Sequence, residues 1–325
     1  MGKYIIRRII EIFPTLIITS FLIFFVVKQM PGDPVSAYLG IGSNVSPEVQ
    51  AQMREQLGLN ASIFEQYIRW IGRIFTGNFG RSIAMRQPVT EFILPLIRNT
   101  FLLNFVSLIV ALLVSVPVGI KQAVKKYSKF DNSITVVSLF GVSVPSFFFA
   151  FMLIFFVAIP FGLPLNGMRD AIAVARGNQN AIQVVLDVAR HMILPVTVLA
   201  FGSFAGWTRY IRNAMIDVLN QDYIRTARSK GLKEKVVIYR HAFKNALIPL
   251  ITLLGFQLPA LFSGAVILES VFQWPGIGRA LVSAISTQDQ SVVLATLLFL
   301  SLMLMLGNLL ADVFYSIADP RIKAN

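Results

Sequence analysis

The chain has 325 residues, of which 55% are hydrophobic and 14% charged, and its mean hydropathy is +0.69. Soluble domains carry about 25% charged residues, so this composition excludes an ordinary soluble domain and is typical of an integral membrane protein. Cysteine is absent, which excludes disulfides, thiolate metal sites and cysteine nucleophiles.

Six apolar stretches are long enough to cross a bilayer as helices, which takes about 20 residues. They are Ile9–Val27, Phe101–Ile120, Ile134–Ile159, Ile193–Gly206, Ala246–Leu268 and Val292–Phe314. The first follows three basic residues, as in a secretory signal, but it is longer than a signal core and lacks a small-residue cleavage site. We therefore interpret it as a retained span. The fourth is short, and we expect its helix to continue through Tyr210.

The net charge of +13 reflects membrane topology rather than binding to nucleic acid. With the N-terminus in the cytoplasm, the cytoplasmic segments are 1–8, 121–133, 207–245 and the C-terminus, and they hold 18 of the 29 Lys and Arg residues. The positive-inside rule then sets both termini in the cytoplasm. Contact with anionic lipid is a second expected use of this charge. The predicted fold class is an all-α polytopic membrane protein with six transmembrane helices, N-in and C-in.

The segment 28–100 is predicted to form an extracytoplasmic cap region. Pro31-Gly32-Asp33-Pro34 stops the first helix because proline lacks an amide donor. A helix is expected to begin at the cap Ser46 and to end at Gly58, and an amphipathic run follows at Ile63–Phe75. The predicted organisation is therefore an N-terminal transmembrane helix over 1–27, the cap region, and a five-helix core over 101–325.

Several residues within the spans are expected to shape their helices. Prolines 117, 145, 195, 249 and 259 each remove a helix hydrogen bond, so kinks are predicted. Two interpretations of these prolines are equally favoured. They are hinges that line a moving pathway, or they are ordinary prolines of the kind common in membrane helices. Gly202 and Gly206 would let two helices approach closely, although this pattern is common by chance. Glu269–Ser291, which includes Trp274, indicates a bent and partly re-entrant turn at the membrane interface, where tryptophan is favoured.

The basic segment 207–245 stands between two apolar runs, and a membrane protein can place such a loop only in water. Helix-forming residues on both sides of Gly231 predict two short helices joined by a tight bend. Ile224, Ala227 and Leu232 are interspersed with basic residues. This pattern fits a helix that docks into a cytoplasmic partner as well as it fits an ordinary basic loop on anionic lipid.

Signals for catalysis and for ion coupling are weak. The chain has no P-loop and no nucleophile elbow, and its two histidines, His191 and His241, fall on opposite sides of the membrane in this topology. The prediction is no catalytic residue, no cofactor and no metal. Asn308 and Asp312 share one face of the last span, but a local polar contact is favoured over an ion ligand. The alternative function is an ion-coupled secondary transporter or channel that acts without an ATPase.

Several motifs in a fixed order carry a resemblance to a known family. They begin with Arg7-Arg8-Ile9-Ile10 and Pro31-Gly32-Asp33-Pro34, and continue with Asp222–Leu232 and Arg240–Pro249. They end with Glu269–Phe272, Trp274–Arg279 and Ala318-Asp319-Pro320-Arg321. The whole chain resembles the first-permease type of the oligopeptide, dipeptide and nickel branch of ATP-binding-cassette importers. Arg225-Thr226-Ala227 departs from the broader Glu-Ala-Ala pattern, which leaves Asp222 as the nearest acidic residue.

The resemblance implies a type I importer permease fold and a non-catalytic subunit in the inner membrane of a prokaryote. The implied partners are a second homologous permease, two cytoplasmic ATPases and an extracytoplasmic substrate-binding protein. The residues implied to couple to the ATPases are Asp222, Tyr223, Ile224, Arg225, Thr226, Ala227, Arg228, Lys230, Gly231 and Leu232. Those implied to face the binding protein are Trp274, Pro275, Gly276, Gly278 and Arg279. Peptides are the favoured substrate.

Overall fold

A computed structural model describes residues 2–30, 35, 46–56, 58–177 and 179–318. Within these ranges the chain is predominantly helical and contains no β-strand, which confirms the predicted all-α class. The predicted helix stop at Pro31–Pro34 and the terminal motif Asp319-Pro320-Arg321 lie outside the described residues.

Fifteen α-helices follow one another in the described part of the chain. They are α1 (Gly2–Lys28), α2 (Pro47–Gln56), α3 (Ile63–Phe75), α4 (Val89–Val124), α5 (Lys129–Ser143), α6 (Ser146–Leu153), α7 (Ile159–Phe161), α8 (Ala171–Arg176), α9 (Ala181–Leu219), α10 (Asp222–Ser229), α11 (Glu234–Val236), α12 (Lys244–Gln257), α13 (Val266–Val271), α14 (Ile277–Ser286) and α15 (Gln290–Ala318). Two π-helical segments, Ile154–Ala158 and Val237–Phe243, and a 3₁₀ turn at Pro259–Leu261 complete the set.

The chain divides into two compact units. Unit 1 comprises Met1–Thr100, Phe262–Val266 and Pro275–Leu309. Unit 2 comprises Phe101–Leu261, Ile267–Trp274 and Leu310–Asn325.

The core of unit 1 is built by α1, α3, α14, α15 and the first turns of α4. Its buried side chains include Phe24, Tyr67, Trp70, Val89, Ile93 and Ile277. The predicted helices of the cap region are confirmed, because α2 follows Ser46 and ends before Gly58, whose φ is +67°. The predicted amphipathic run matches α3 at both ends, and the Ser62 hydroxyl accepts a hydrogen bond from the Glu65 amide at its start.

In unit 2, α9 packs against α5, α6 and α12. The helices α4 and α9 approach closely at Gly119 of α4, where an added Cβ would lie 2.9 Å from the Ile211 side chain and from the Thr208 carbonyl oxygen. Gly202 and Gly206, whose spacing is weak evidence for a close helix approach, show none within the chain, because a Cβ at either position meets no atom within 4 Å.

Four described helices are long and apolar enough to cross a membrane, and two bent pairs raise the number to as many as six. The four are Ile10–Lys28, Val89–Val124, Ala181–Leu219 and Gln290–Val313. The fourth predicted span lies within α9, which continues through Tyr210 as expected.

The bent pairs correct two predicted spans. The third is broken between α5 and α6 by 105° at Val144–Pro145. Proline forces the preceding residue out of the helical region, and Val144 is extended at φ −84°, ψ 124°. The fifth bends by 44° at Pro249 and ends at Leu261, not at Leu268. Helices continue through Pro117 and Pro195, so the prolines differ in their effect.

Candidate functional site

The helix α10 is short and begins immediately after the long helix α9. Asp222 lies in its first turn and Arg228 in its last, so both charges are placed favourably for the helix dipole. The helix ends where the Gly231 amide donates to the Arg228 carbonyl at 2.9 Å. Gly231 has a φ of +74°, a conformation that glycine adopts without steric cost. The predicted bend at Gly231 is therefore confirmed.

One face of α10 is buried in unit 2. Ile224 is 0% exposed and Ala227 is 6% exposed, and their spacing of three residues puts them on the same side of the helix. They belong to one cluster with Met215 of α9 and with Val237 and Ala242 of the π-helical segment. Burial of the isoleucine side chain alone is worth about 1.5–3 kcal/mol. These two residues anchor the helix to its own chain, and their predicted part in coupling to the ATPases stays a prediction.

The opposite face of α10 is exposed. The Asp222 side chain is 96% exposed and the Arg225 side chain 74%, and their charged atoms lie 3.6 Å apart. Tyr223, at 44% exposure, adds an aromatic ring to this surface, and Thr226 and Lys230 are also exposed. Of these residue types, tyrosine and arginine are enriched at protein–protein contacts.

An ion pair spans the Gly231 turn, at the start of the return from α10 to the membrane helices. The Arg228 guanidinium donates to the Glu234 carboxylate at 2.8 and 3.3 Å, and this hydrogen bond raises the pKa of Arg228. The chain then runs through the π-helical segment Val237–Phe243 into α12. π-Helical turns are rare and concentrate at functional sites. Leu232 and Tyr239 are also exposed in this return segment.

A buried ion pair joins α9 to α5 at a point ten residues before α10 begins. The sequence patterns did not reveal this pair. The Arg212 guanidinium donates to both oxygens of the Asp131 carboxylate, each at 2.7 Å. Gln122 and the Tyr127 amide donate to the same carboxylate at 3.1 and 2.9 Å. Asp131 is 2% exposed. Arg212 lies ten residues before Asp222, so this network fixes the helix that carries α10.

The site predicted to face the binding protein, which begins at Trp274, is mostly buried. Trp274 is 0% exposed and clusters with Leu103, Met192 and Val196, and its amide donates to the Glu269 carbonyl at 2.8 Å. Its predicted position at the membrane interface stays a prediction, because burial among protein side chains does not fix its depth in the bilayer. The indole fills a protein core.

The residues after Trp274 mostly serve to start α14 within unit 1. Gly276 and Gly278 are buried, and the Pro275 carbonyl accepts a hydrogen bond from Asn99 at 3.0 Å. Of the five residues predicted to face a binding protein, Arg279 alone is exposed and Pro275 is half-buried.

No group of three or more His, Cys, Asp or Glu side chains within the described ranges could hold a metal ion. His191 is 8% exposed, and its Nδ1 lies 2.8 Å from the Asp187 carbonyl and 3.1 Å from the Asp187 carboxylate. This pairing accounts for its burial without a ligand.

Comparison with known families gives two matches that together span nearly the whole chain. The family described as "Binding-protein-dependent transport system inner membrane component" matches residues 115–324. Its N-terminal companion, "Binding-prot-dependent transport system membrane comp, N-term", matches residues 1–104.

Curated relatives align over the full length. The chain is 40% identical to the oligopeptide transport system permease protein AppB of Bacillus subtilis (strain 168), covering 99% of this chain and 100% of the relative. It is 37% identical to the dipeptide transport system permease protein DppB of Escherichia coli (strain K12), covering 99% of both. It is 35% identical to the di/tripeptide transport system permease protein DppB of Pseudomonas aeruginosa (strain UCBPP-PA14), again covering 99% of both.

Proposed function

This chain belongs to the family of binding-protein-dependent transport system inner membrane components, and we propose that it imports oligopeptides or dipeptides as half of a translocation pathway. It is a multi-pass permease subunit of the prokaryotic inner membrane. The peptide assignment is supported by the names of three relatives that align over 99% of the chain. A second, homologous permease would supply the other half of the pathway.

The energy for transport would come from two cytoplasmic ATPases. The chain has no P-loop that could hold nucleotide phosphates, so ATP must be hydrolysed by other subunits. The segment 222–245 is the proposed coupling site, with Asp222, Tyr223, Arg225, Thr226 and Lys230 against the ATPase. The single observation that carries this proposal is that α10 is anchored by a buried face and offers an exposed, mixed-charge face.

Movement of α10 would pass directly into the membrane helices. Ile224 and Ala227 share one buried cluster with residues of α9 and of the π-helical segment, so α10 cannot shift without displacing them. The Asp131–Arg212 pair makes the adjoining part of α9 stiff. When ATP closes the ATPase pair, α10 acts as a lever and α9 follows it, which reorients the pathway from inward-open to outward-open.

The opposite side of the membrane would meet the substrate-binding protein. In the N-in topology the cap region 28–100 and the segment 269–291 are extracytoplasmic. Arg279 is exposed and Pro275 is half-buried, so these two residues carry this part of the proposal. Trp274, Gly276 and Gly278 are buried and would support the surface from beneath.

Gly231 provides the test of the coupling site. A Cβ at this position meets no atom within 4 Å, so a large side chain would project from the proposed docking surface. Gly231→Trp is expected to weaken ATPase attachment and abolish uptake while membrane insertion stays normal. Gly231→Asn is the matched control, because asparagine tolerates a positive φ and is small. It should retain most ATPase attachment and uptake.

The measurements are co-purification of the ATPases with the tagged permease, and ATP-dependent peptide uptake in reconstituted vesicles. Normal co-purification and uptake with Gly231→Trp would overturn the docking assignment. Transport by this chain alone, without ATP or other subunits, would instead establish the secondary transporter or channel.

A further inference from the structure

Unit 1 contains a cavity of about 560 Å³ that the proposed function does not use. It lies between the last turn of α1, the helix α3, the residues that follow α3, and the first turn of α15. Its walls combine the aromatic rings of Phe24, Trp70 and Phe79 with polar side chains such as Gln66 and Ser291.

Four basic residues line this cavity: Lys28, Arg69, Arg73 and Arg81. None of the described lining residues is acidic. Two of the cations, Lys28 and Arg81, contact only neutral acceptors, whereas the charge of Arg69 is balanced by a carboxylate. The Lys28 ammonium donates to the neutral Gln290 amide at 3.4 Å, Arg69 pairs with the exposed Glu65, and Arg81 donates to a backbone carbonyl.

Like charges gathered around one cavity repel one another, and an anion in the cavity relieves that repulsion. The geometry favours a group with several oxygen acceptors, because guanidinium groups bind planar and tetrahedral oxyanions through paired hydrogen bonds. The aromatic walls and the neutral amides suit the uncharged part of the same ligand.

The depth of the cavity identifies the source of the anion. Lys28 is the last residue of the apolar stretch Ile10–Lys28, and Gln290 is the first residue of the apolar stretch Gln290–Val313. Both membrane helices therefore reach the headgroup layer of the bilayer at the cavity. The last two turns of α1 also leave Leu22, Phe25 and Val26 exposed, at 54%, 42% and 63%, which is the surface that acyl chains would cover.

We propose that this cavity binds the phosphate of an anionic phospholipid headgroup, with the acyl chains of the lipid lying along the exposed face of α1. Lys28 and Arg73 hold the phosphate, and the Ser291 hydroxyl and the Gln66 amide oxygen line the space for the rest of the headgroup. The Gln66 NH2 group already donates to the Leu59 and Ala61 carbonyls. Free inorganic phosphate has the same chemistry but lacks the acyl chains. The proposal does not depend on the transported substrate or on ATPase coupling.

The cavity can be filled by a substitution that leaves its four basic residues in place. Gly72 of α3 lines the cavity, and a Cβ added there meets no atom within 4 Å. A phenylalanine at this position would occupy the cavity while all four cations remain. Gly72→Ala is its control, because it improves helix propensity and fills little space.

The experiment is native mass spectrometry of the purified full-length chain in detergent, titrated with phosphatidylglycerol, with phosphatidylcholine or with inorganic phosphate. The wild type should retain one phosphatidylglycerol in preference to phosphatidylcholine. Lys28→Gln/Arg73→Gln should weaken that binding roughly 30-fold, the effect expected from two basic residues near a lipid surface. Gly72→Phe should abolish it, and Gly72→Ala should preserve it.

A double variant with the same change of charge serves as the matched control. Arg54 and Arg86 lie in the same segment but do not line the cavity. The affinity of Arg54→Gln/Arg86→Gln for phosphatidylglycerol should therefore stay within about twofold of the wild-type affinity. Equal lipid retention by the wild type, Lys28→Gln/Arg73→Gln and Gly72→Phe would overturn the proposal. Binding of inorganic phosphate that Gly72→Phe abolishes, without selective lipid retention, would overturn the lipid and leave a free-phosphate site. If Lys28→Gln/Arg73→Gln does not fold, the comparison of Gly72→Phe with Gly72→Ala decides whether the cavity binds the lipid.

Discussion

Two stretches of this chain carry motifs that predicted contacts with partner proteins, and they differ sharply in exposure. In the stretch 222–232, eight of the ten residues predicted to contact the ATPases are exposed, and Ile224 and Ala227 are buried. In the stretch 274–279, one of the five predicted residues, Arg279, is exposed. A short motif of aromatic, glycine and charged residues can therefore reflect packing or partner contact. Burial distinguishes the two, and substitutions at matched residues test the distinction.

The largest effect is expected at Trp274, whose side chain is fully buried. Trp274→Ala should lower the free energy of unfolding by about 3–5 kcal/mol, because it removes a large apolar side chain and leaves a cavity. The measurement is the thermal unfolding of the detergent-solubilised chain. Tyr223→Ala is the control from the other stretch, and its 44% exposure predicts little change in Tm. Equal losses at both positions would remove the contrast between the stretches.

The anchor of α10 should give the next largest effect. Ile224→Ala is expected to cost about 2–4 kcal/mol, because it empties a position that is 0% exposed. Hydrogen exchange of the amides in 222–229 should accelerate, since the helix loses its hold on α9. Leu232→Ala, at a position that is 40% exposed, should leave exchange in α10 unchanged. Unchanged exchange in Ile224→Ala would mean that α10 is held by its other contacts.

The Asp131–Arg212 pair should have an intermediate effect. Asp131→Ala leaves a guanidinium without its carboxylate, and we expect a loss of about 2 kcal/mol, since the Arg212 side chain is still 21% exposed to solvent. The double variant Asp131→Ala/Arg212→Leu should be more stable than Asp131→Ala, because no unpaired charge remains. Arg209→Ala, at an exposed position of the same helix, controls for loss of charge. Additive losses in the double variant would show that the pair is not coupled.

The smallest effect is expected for the exposed pair between Arg228 and Glu234. Their side chains are 44% and 54% exposed, so Glu234→Gln should cost less than about 1 kcal/mol, and salt should reduce the difference further. The measurement is Tm at low and at high ionic strength. A loss as large as that of Ile224→Ala would show that the turn depends on this pair rather than on the buried anchor.

Local signals in the sequence were reliable guides to local structure. The cap at Ser46, the amphipathic run Ile63–Phe75 and the bend at Gly231 were predicted because each depends on residues within a few positions of one another. The break at Pro145 was predicted as a kink, but its angle of 105° depends on the surrounding helices and could not be read from one proline.

Contacts between distant residues escaped the sequence analysis. Asp131 and Arg212 are 81 positions apart, and each alone resembles a charged residue at the end of a span. The close approach at Gly119 carries no pattern, whereas Gly202 and Gly206 have the spacing but no neighbour within 4 Å. The burial of Trp274 depends on Leu103 and Met192, which the motif does not include. The two inward-facing residues of α10 could have been inferred from their spacing of three.

The central claim is that the exposed face of α10 contacts the ATPases, and cysteine labelling tests it most directly. The chain contains no cysteine, so Arg225→Cys would carry the only thiol, at a position that is 74% exposed. Labelling of this thiol by a membrane-impermeant maleimide in inside-out vesicles should be rapid for the permease alone and at least about tenfold slower in the assembled importer. Ile224→Cys should react slowly in both. Equal labelling of Arg225→Cys with and without the ATPases would contradict the account.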